Sequence, residues 1–128
     1  MTDARLLVVD DDRAVCESLA EYLIDLGYTV DTAGSGEEAL NYAETHDYAV
    51  IIIIDLRLPG MSGEALAKQI HHRYPKTQFI IHTGSMEYEP TEEMKAVGIS
   101  AEQIFPKPQL DISVFHRTIV DLLSRGSS

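Results

Sequence analysis

The sequence has little cysteine, few basic residues and no long apolar run, and each shortage excludes a class of protein. Its only cysteine is Cys16, which excludes an internal disulfide and is typical of proteins from reducing compartments. No apolar segment approaches the roughly 20 residues that a membrane helix needs. The first residues place no basic region before an apolar run, so we expect no signal peptide, no membrane association and a cytoplasmic location.

Acidic residues outnumber basic ones: the chain has 21 aspartates and glutamates and 10 lysines and arginines, for a formal net charge of −11. Such a chain repels phosphate backbones, so we expect no direct nucleic-acid binding by this domain. The 128 residues suit one domain, with a core over about residues 5–123 and a tail or linker stub at 124–128. The acidic excess raises the question of whether some carboxylates surround a cation.

The apolar pattern alternates between strand and helix five times along the chain. We expect strands at 6–10, 28–32, 49–54, 78–82 and 103–105. We expect helices at 13–26, 35–45, 62–74 and 90–97, and a last helix that Asp111 caps. Because short apolar runs alternate with helices, the pattern predicts an α/β fold whose parallel sheet is covered on both faces.

Polar side chains stand at the end of four of these apolar runs. Asp10 and Asp11 end the first run, Asp55 follows the third, Thr83 the fourth and Lys107 the fifth. Because parallel strands bring their carboxyl ends to one edge of a sheet, we expect these groups to lie close together. Two like charges 4 Å apart cost about 4 kcal/mol at an effective dielectric constant near 20, so the carboxylates need a compensating charge.

A divalent cation provides that compensation, and a few carboxylates suit Mg²⁺, or Mn²⁺ in its place. A carboxylate, a cation, a lysine and a hydroxyl together indicate phosphoryl transfer, in which one carboxylate forms an aspartyl phosphate. A simpler explanation treats the acidic residues as the favourable charge at a helix N-terminus. It accounts for Asp12 and at most one neighbour, and it leaves Asp55 and Lys107 unexplained.

Four motifs, in this order, resemble the CheY-like receiver domain of two-component response regulators. They read LLVVDDD, IIIIDLRLPGMSG, IIHTGS and FPKP, and the similarity extends over nearly the whole chain. The resemblance implies a flavodoxin-like, doubly wound sheet of five parallel strands in the order 2-1-3-4-5, with five helices. It also implies a signalling switch and not an enzyme, since such a domain catalyses only its own phosphorylation and dephosphorylation.

The resemblance also assigns roles to the metal and phosphate residues. Asp55 matches the phosphoacceptor, which takes a phosphoryl group from the phosphohistidine of a sensor histidine kinase or a phosphotransfer protein. Asp11 matches the direct metal ligand and Asp10 the acid that holds the metal through water. Asp55 and the backbone carbonyl of Arg57 would complete the protein ligands.

The remaining positions concern switching and output. Thr83 matches the switch hydroxyl, Lys107 the lysine that pairs with the phosphate, and Arg57 and Ser85 the positions that tune the phosphoryl lifetime. Ile104 stands where the family usually has an aromatic switch residue, so the usual coupled rotation is not expected. The implied partners are a kinase and either a downstream protein or a fused output domain, with a possible homodimer through the fourth helix, fifth strand and fifth helix.

Two other functions remain open from the residues alone. In a haloacid-dehalogenase-like phosphatase, Asp10 would be the nucleophile and Asp12 the acid–base, but Ala14 departs from that motif and Asp55 has no role. A receiver-like adaptor would bind partners without phosphorylation, and Ile104 is compatible with that function. The residue that carries a phosphoryl group would distinguish a receiver, labelled on Asp55, from a phosphatase, labelled on Asp10. Mg²⁺ binding would weigh against the adaptor.

Overall fold

The chain alternates five parallel strands with helices in a computed structural model that describes residues 4–54, 60–83, 91–106 and 113–126. The strands are β1 (Arg5–Val9), β2 (Thr29–Ala33), β3 (Val50–Ile54), β4 (Gln78–Thr83) and β5 (Ile104–Pro106). The α-helices of the described ranges are α1 (Arg13–Asp25), α2 (Gly36–Thr45), α3 (Gly63–Arg73), α4 (Glu92–Ala96) and α5 (Ser113–Gly126). The strand order is β2-β1-β3-β4-β5, which confirms the predicted fold.

Each face of the sheet has its own buried core, because side chains alternate along a strand. On the first face, Ile51 and Ile53 of β3 pack in a cluster that includes residues of α2, α3 and α4. On the second face, Ile52 packs in a cluster with residues of α1 and α5. The central strand is therefore buried on both sides, which explains why its sequence is continuously apolar.

The start of α4 differs from the prediction, which begins this helix near Pro90. The helix begins at Glu92, because the Thr91 side chain accepts a hydrogen bond from the Met94 N–H at 3.1 Å and caps it. Pro90 lies outside the described residues. A short 3₁₀ helix, Ala101–Gln103, then precedes β5. Gln103, predicted as the first residue of the strand, therefore belongs to this helix instead.

Two further helix ends depart from the sequence pattern. The spacing of Ser35 and Glu38 predicts a capping box, and only one of its two hydrogen bonds forms. Ser35 Oγ accepts from the Glu38 N–H at 3.1 Å, but Glu38 Oε2 accepts from the Gly34 N–H at 3.3 Å and not from the Ser35 N–H. Helix α5 continues to Gly126, because its sequence contains no proline or earlier glycine that would end it. Residues 124–126, predicted as part of a tail, are therefore helical. Its predicted cap, Asp111, lies outside the described residues.

The helices of the described ranges are short. The longest, α5, has 14 residues, and α1 has 13. In the part of the chain that the structure describes, no helix is both long enough and apolar enough to cross a membrane.

The amide side chain of Gln103 joins β5 to the rest of the sheet. It is only 3% exposed, and its Nε2 donates to the Phe79 carbonyl oxygen at 2.7 Å. Its Oε1 accepts from the Ser100 N–H at 3.1 Å and from Ser100 Oγ at 3.0 Å. These bonds give the long connection between α4 and β5 a fixed shape, and β5 leads directly to Lys107.

Replacing Gln103 with leucine should therefore lower the free energy of unfolding by about 2–3 kcal/mol, because the Phe79 carbonyl loses its partner in a buried environment. Urea denaturation followed by circular dichroism measures this change. The control is Gln69→Leu on the exposed side of α3, which should change stability by no more than about 0.5 kcal/mol. Equal effects of the two substitutions would contradict the structural role of Gln103.

Candidate functional site

The strand ends that carry the predicted site residues are neighbours in the sheet. Val9 of β1 pairs with Ile53 of β3, and β3 pairs in turn with β4. On the other side of β4, Thr83 pairs with Pro106 of β5. Adjacent strands lie about 4.8 Å apart, so the carboxyl ends of four strands form one continuous edge. Asp10, Asp55 and Lys107 directly follow the last residues of β1, β3 and β5 in the chain.

The structure places part of the predicted site. Asp10, Asp11 and Ile104 are described with their side chains, and Thr83 is described as the last residue of β4. Asp55, Arg57, Ser85 and Lys107 lie outside the described residues, so their roles stay predictions.

Asp10 is a buried carboxylate at this edge, only 2% exposed. Its backbone N–H donates to the Ala33 carbonyl oxygen at 3.0 Å, which extends the pairing of β1 with β2 by one residue. The backbone of Asp10 is thus held by the sheet, while Asp11, the next residue, is exposed. A buried carboxylate requires compensation by hydrogen bonds or positive charge. One buried and one exposed acid side by side are suitable for a cation that keeps part of its water shell.

Asp12 has a structural role, as the simpler explanation of the acidic cluster expects. Its Oδ1 accepts from the Ala14 N–H at 3.1 Å and from the Val15 N–H at 3.3 Å, which caps the N-terminus of α1. The carboxylate is therefore engaged by the helix, whereas a phosphatase would need it as an acid–base. Asp10 and Asp11 stay the predicted metal ligands of this acidic cluster.

Cys16 lies next to this acidic edge and is a core residue of the second-face cluster. Its side chain is 3% exposed, and Sγ donates to the Val8 carbonyl oxygen at 3.4 Å. Burial raises the pKa of the Cys16 thiol to about 11, and the negative charge of Asp10 adds to this rise. Cys16 is therefore a packed, protonated thiol at neutral pH and not an activated nucleophile.

The predicted magnesium site lies partly within the described residues. Among the described residues, no three histidine, cysteine, aspartate or glutamate side chains form a group that could hold a metal ion. Asp10 and Asp11 are within the described ranges, and the other two predicted ligands, Asp55 and Arg57, are outside them. The oxygen donors present suit Mg²⁺, which binds to few carboxylates and retains several waters.

The side chains of β5 divide between the two faces of the sheet. Ile104, at the predicted switch position, is half-buried and packs against the first-face cluster. Phe105 points to the second face, where its ring centroid lies 5.3 Å from that of Phe115 in α5. The His82 ring lies 5.2 Å from the same Phe115 ring, in an edge-to-face contact.

These three rings, Phe105, Phe115 and His82, form an aromatic cluster that the sequence reading missed. His82 is buried and its ring packs on Phe115, so it is a structural histidine on the second face of the sheet. The signal was present, because alternation along β5 puts residues 104 and 105 on opposite faces and the helical pattern turns Phe115 inward. The aromatic contact of β5 is therefore with α5, while its aliphatic side chain packs against the first-face cluster.

Comparisons with known proteins agree with this geometry. Residues 6–119 match the family model of the response regulator receiver domain. The chain is 30% identical over 104 residues to the transcriptional regulatory protein DltR of Streptococcus agalactiae, an alignment that covers 81% of this chain and 45% of DltR. The chain thus spans about half the length of this curated relative.

Solved structures are similar over almost the whole chain. The chemotaxis response regulator CheY4 of Vibrio cholerae is 31% identical, with a TM-score of 0.80 over 94% of this chain and 99% of CheY4. The response regulator TrrA of Thermotoga maritima, solved in complex with Mg²⁺-BeF, is 28% identical, with a TM-score of 0.78 over 93% of this chain and 98% of TrrA.

Proposed function

The chain belongs to the response regulator receiver domain family, and we propose that a phosphoryl group on Asp55 switches it between two states. The observation that carries this proposal is the alignment of four strand ends at one edge, with a buried Asp10 and an exposed Asp11 directly after β1. Asp55 is the first residue after the neighbouring strand β3, which is buried on both faces. A rigid strand is a suitable support for a reactive carboxylate.

The proposed chemistry is a transfer between a kinase and this chain. A carboxylate oxygen of Asp55 attacks phosphorus and forms an O–P bond, while the P–N bond of the kinase phosphohistidine breaks and the imidazole keeps the electron pair. Asp10, Asp11 and the Arg57 carbonyl would hold Mg²⁺ together with Asp55, as the family resemblance implies. A bound Mg²⁺ offsets the negative charge on the phosphoryl oxygens.

Thr83 and Lys107 would then stabilise the phosphorylated state. Thr83 ends β4, next to β3, and Lys107 follows β5, next to β4. A hydroxyl and an ammonium from these two positions would approach the phosphate from the side away from β1. The Arg57 and Ser85 side chains would tune how long the phosphoryl group lasts. Differential binding of these groups to the phosphate is what shifts the two-state equilibrium.

We propose that the output surface includes α4, β5 and α5. Ile104 replaces the usual aromatic residue on the first face. The conformational change on phosphorylation would therefore depend on how this aliphatic side chain packs against the first-face cluster. The partner that binds this surface would be a downstream protein, a fused output domain or a second copy of the chain, in the cytoplasm. DltR is a transcriptional regulatory protein of about twice this length, which makes an output domain the natural partner to test.

The two alternative functions have no support. A haloacid-dehalogenase-like phosphatase would use Asp12 as an acid–base, but its Oδ1 caps α1. An adaptor without phosphorylation would not need both a buried and an exposed acid beside β3. The family match covers residues 6–119, which include every predicted site residue.

Mass spectrometry of the chain after incubation with acetyl phosphate tests the proposal. We expect one phosphoryl group per chain when Mg²⁺ is present, acid-labile and located on Asp55 by peptide mapping. Removing Mg²⁺ with a chelator should reduce labelling to background, because the cation offsets the charge of the transferred group. Labelling of Asp10 would instead support the phosphatase mechanism, and no labelling under any condition would support the adaptor.

A further inference from the structure

The turn that leads from β2 into α2, residues 33–36, contacts both halves of the proposed metal site. At its start, the Ala33 carbonyl oxygen accepts the hydrogen bond from the Asp10 N–H at 3.0 Å. At its end, Gly36 is the first residue of α2 and is buried against the side chain of Met61. Met61 belongs to the segment that leads from β3 to α3. The turn is therefore in contact with the acids after β1 and with the chain that follows β3.

The contact between Gly36 and Met61 leaves no room for a side chain at position 36. A Cβ atom there would lie 3.1 Å from both Cβ and Sδ of Met61 and 3.3 Å from its Cγ. Carbon atoms pack best about 3.5–4.0 Å apart, so an added methyl group would displace Met61. Gly36 lies in a helix, where alanine is favoured over glycine. Its glycine is therefore explained by the close approach of Met61 and not by helix propensity.

Met61 is also held by the core and by α3. It packs against the first-face cluster, and Gln69 Nε2 of α3 donates to its Sδ at 3.7 Å. The next residue, Ser62, caps α3 by accepting from the Ala65 N–H at 3.1 Å. The preceding residue, Gly60, is exposed. A Met61 displaced from Gly36 therefore moves more easily toward the residues before it, which lead back to β3.

We propose that Gly36 and Met61 are positioning residues for Mg²⁺, since their contact sets the distance between the acids after β1 and the donors that follow β3. The first of those acids is hydrogen-bonded to one end of the turn, and Met61 is seated at the other end. The proposal rests on the proposed function, because it takes Asp55 as a metal ligand. Disturbing the groups that orient metal ligands typically weakens metal affinity by about 10–100-fold.

Titration with Mg²⁺ alone tests this proposal, with the backbone amide resonances of Asp10 and Asp11 as the readout. The Gly36→Ala chain should need about tenfold more Mg²⁺ for half-saturation than the unmodified chain. Gly34→Ala is the matched control, because it adds the same methyl group to the same turn at 3.7 Å from Glu38 Oε2, an ordinary contact. The same affinity in Gly36→Ala and the unmodified chain would overturn the proposal, as would equal weakening by Gly34→Ala.

The midpoint of urea denaturation separates positioning from damage to the fold. Gly36→Ala should leave this midpoint almost unchanged, because the higher helix propensity of alanine offsets the displacement of a half-buried methionine. Weaker Mg²⁺ binding accompanied by a large fall in the midpoint would indicate a structural role and would overturn the positioning role.

Met61→Ala tests whether the two residues act through their contact. It removes Cγ and Sδ, two of the three atoms closest to position 36, and should itself weaken Mg²⁺ binding. In this background, Gly36→Ala should weaken binding by less than about threefold, because the effects of contacting residues are not additive. Met61→Ala also decides the question if Gly36→Ala fails to fold, since unchanged Mg²⁺ affinity in Met61→Ala would overturn the proposal.

Labelling by acetyl phosphate distinguishes this inference from the proposed function. The Gly36→Ala chain should require about tenfold more Mg²⁺ than the unmodified chain for half-maximal labelling of Asp55. An unmodified chain that takes up no label would overturn the proposed function and this inference together. A labelled unmodified chain with the same Mg²⁺ requirement as Gly36→Ala would overturn this inference alone.

Discussion

Replacing Asp55 with asparagine is expected to reduce phosphorylation by acetyl phosphate and Mg²⁺ to background. The amide has nearly the same shape as the carboxylate but lacks the anionic oxygen that attacks phosphorus. The substitution also removes one negative charge from the proposed metal site. Intact-mass spectrometry measures the labelled fraction, and circular dichroism checks that the variant is folded. Acid-labile label on the Asp55→Asn chain would show that the phosphoacceptor has been assigned wrongly.

Asp10→Asn provides the informative comparison for this experiment. In a receiver, Asp10 supports the metal through water, so the variant should still be labelled on Asp55 but should need more Mg²⁺. In a phosphatase with Asp10 as nucleophile, the same variant would lose all label. Asp25→Asn, an exposed change at the end of α1, should behave like the unmodified chain in both cases.

Replacing Phe79 with alanine is expected to lower the free energy of unfolding by about 3–5 kcal/mol. Phe79 is the largest of the fully buried side chains, and it lies in β4 within the first-face cluster. Domains are typically stable by only about 5–15 kcal/mol, so this loss would leave the variant marginally folded. Urea denaturation with circular dichroism detection gives the change in unfolding free energy.

Val120→Ala is the matched control for this substitution. Val120 is 50% exposed on α5, so its truncation should cost no more than about 0.5 kcal/mol. If Phe79→Ala cost less than about 1 kcal/mol, the first-face cluster would not be the main support of β4.

The fold was predictable because its strands have unambiguous patterns. The run VIIII of β3 is apolar throughout, which in a short segment indicates a strand that is buried on both faces. Helix ends were harder to predict, since they depend on choices between nearly equivalent partners. Glu38 accepts from the Gly34 N–H and not from its predicted partner one residue later, and sequence spacing does not distinguish these two donors.

In the candidate site, too, features set by local sequence were predictable, and features set by tertiary packing were not. The N-cap role of Asp12 follows from its position before α1, and a hydrogen-bonded cap is what the structure has. The contact of Phe105 with Phe115 joins a strand to a helix and needs the tertiary structure to be recognised.

The aromatic cluster of His82, Phe105 and Phe115 gives the chain an internal spectroscopic reporter. Ring currents from three rings in edge-to-face contact shift the proton resonances of neighbouring side chains strongly with small changes in ring distance. The cluster joins β4, one residue before Thr83, to β5 and α5. The chain has no tryptophan, so its fluorescence offers little contrast. Upfield-shifted methyl resonances beside these rings therefore allow the conformation of this region to be followed without any added label.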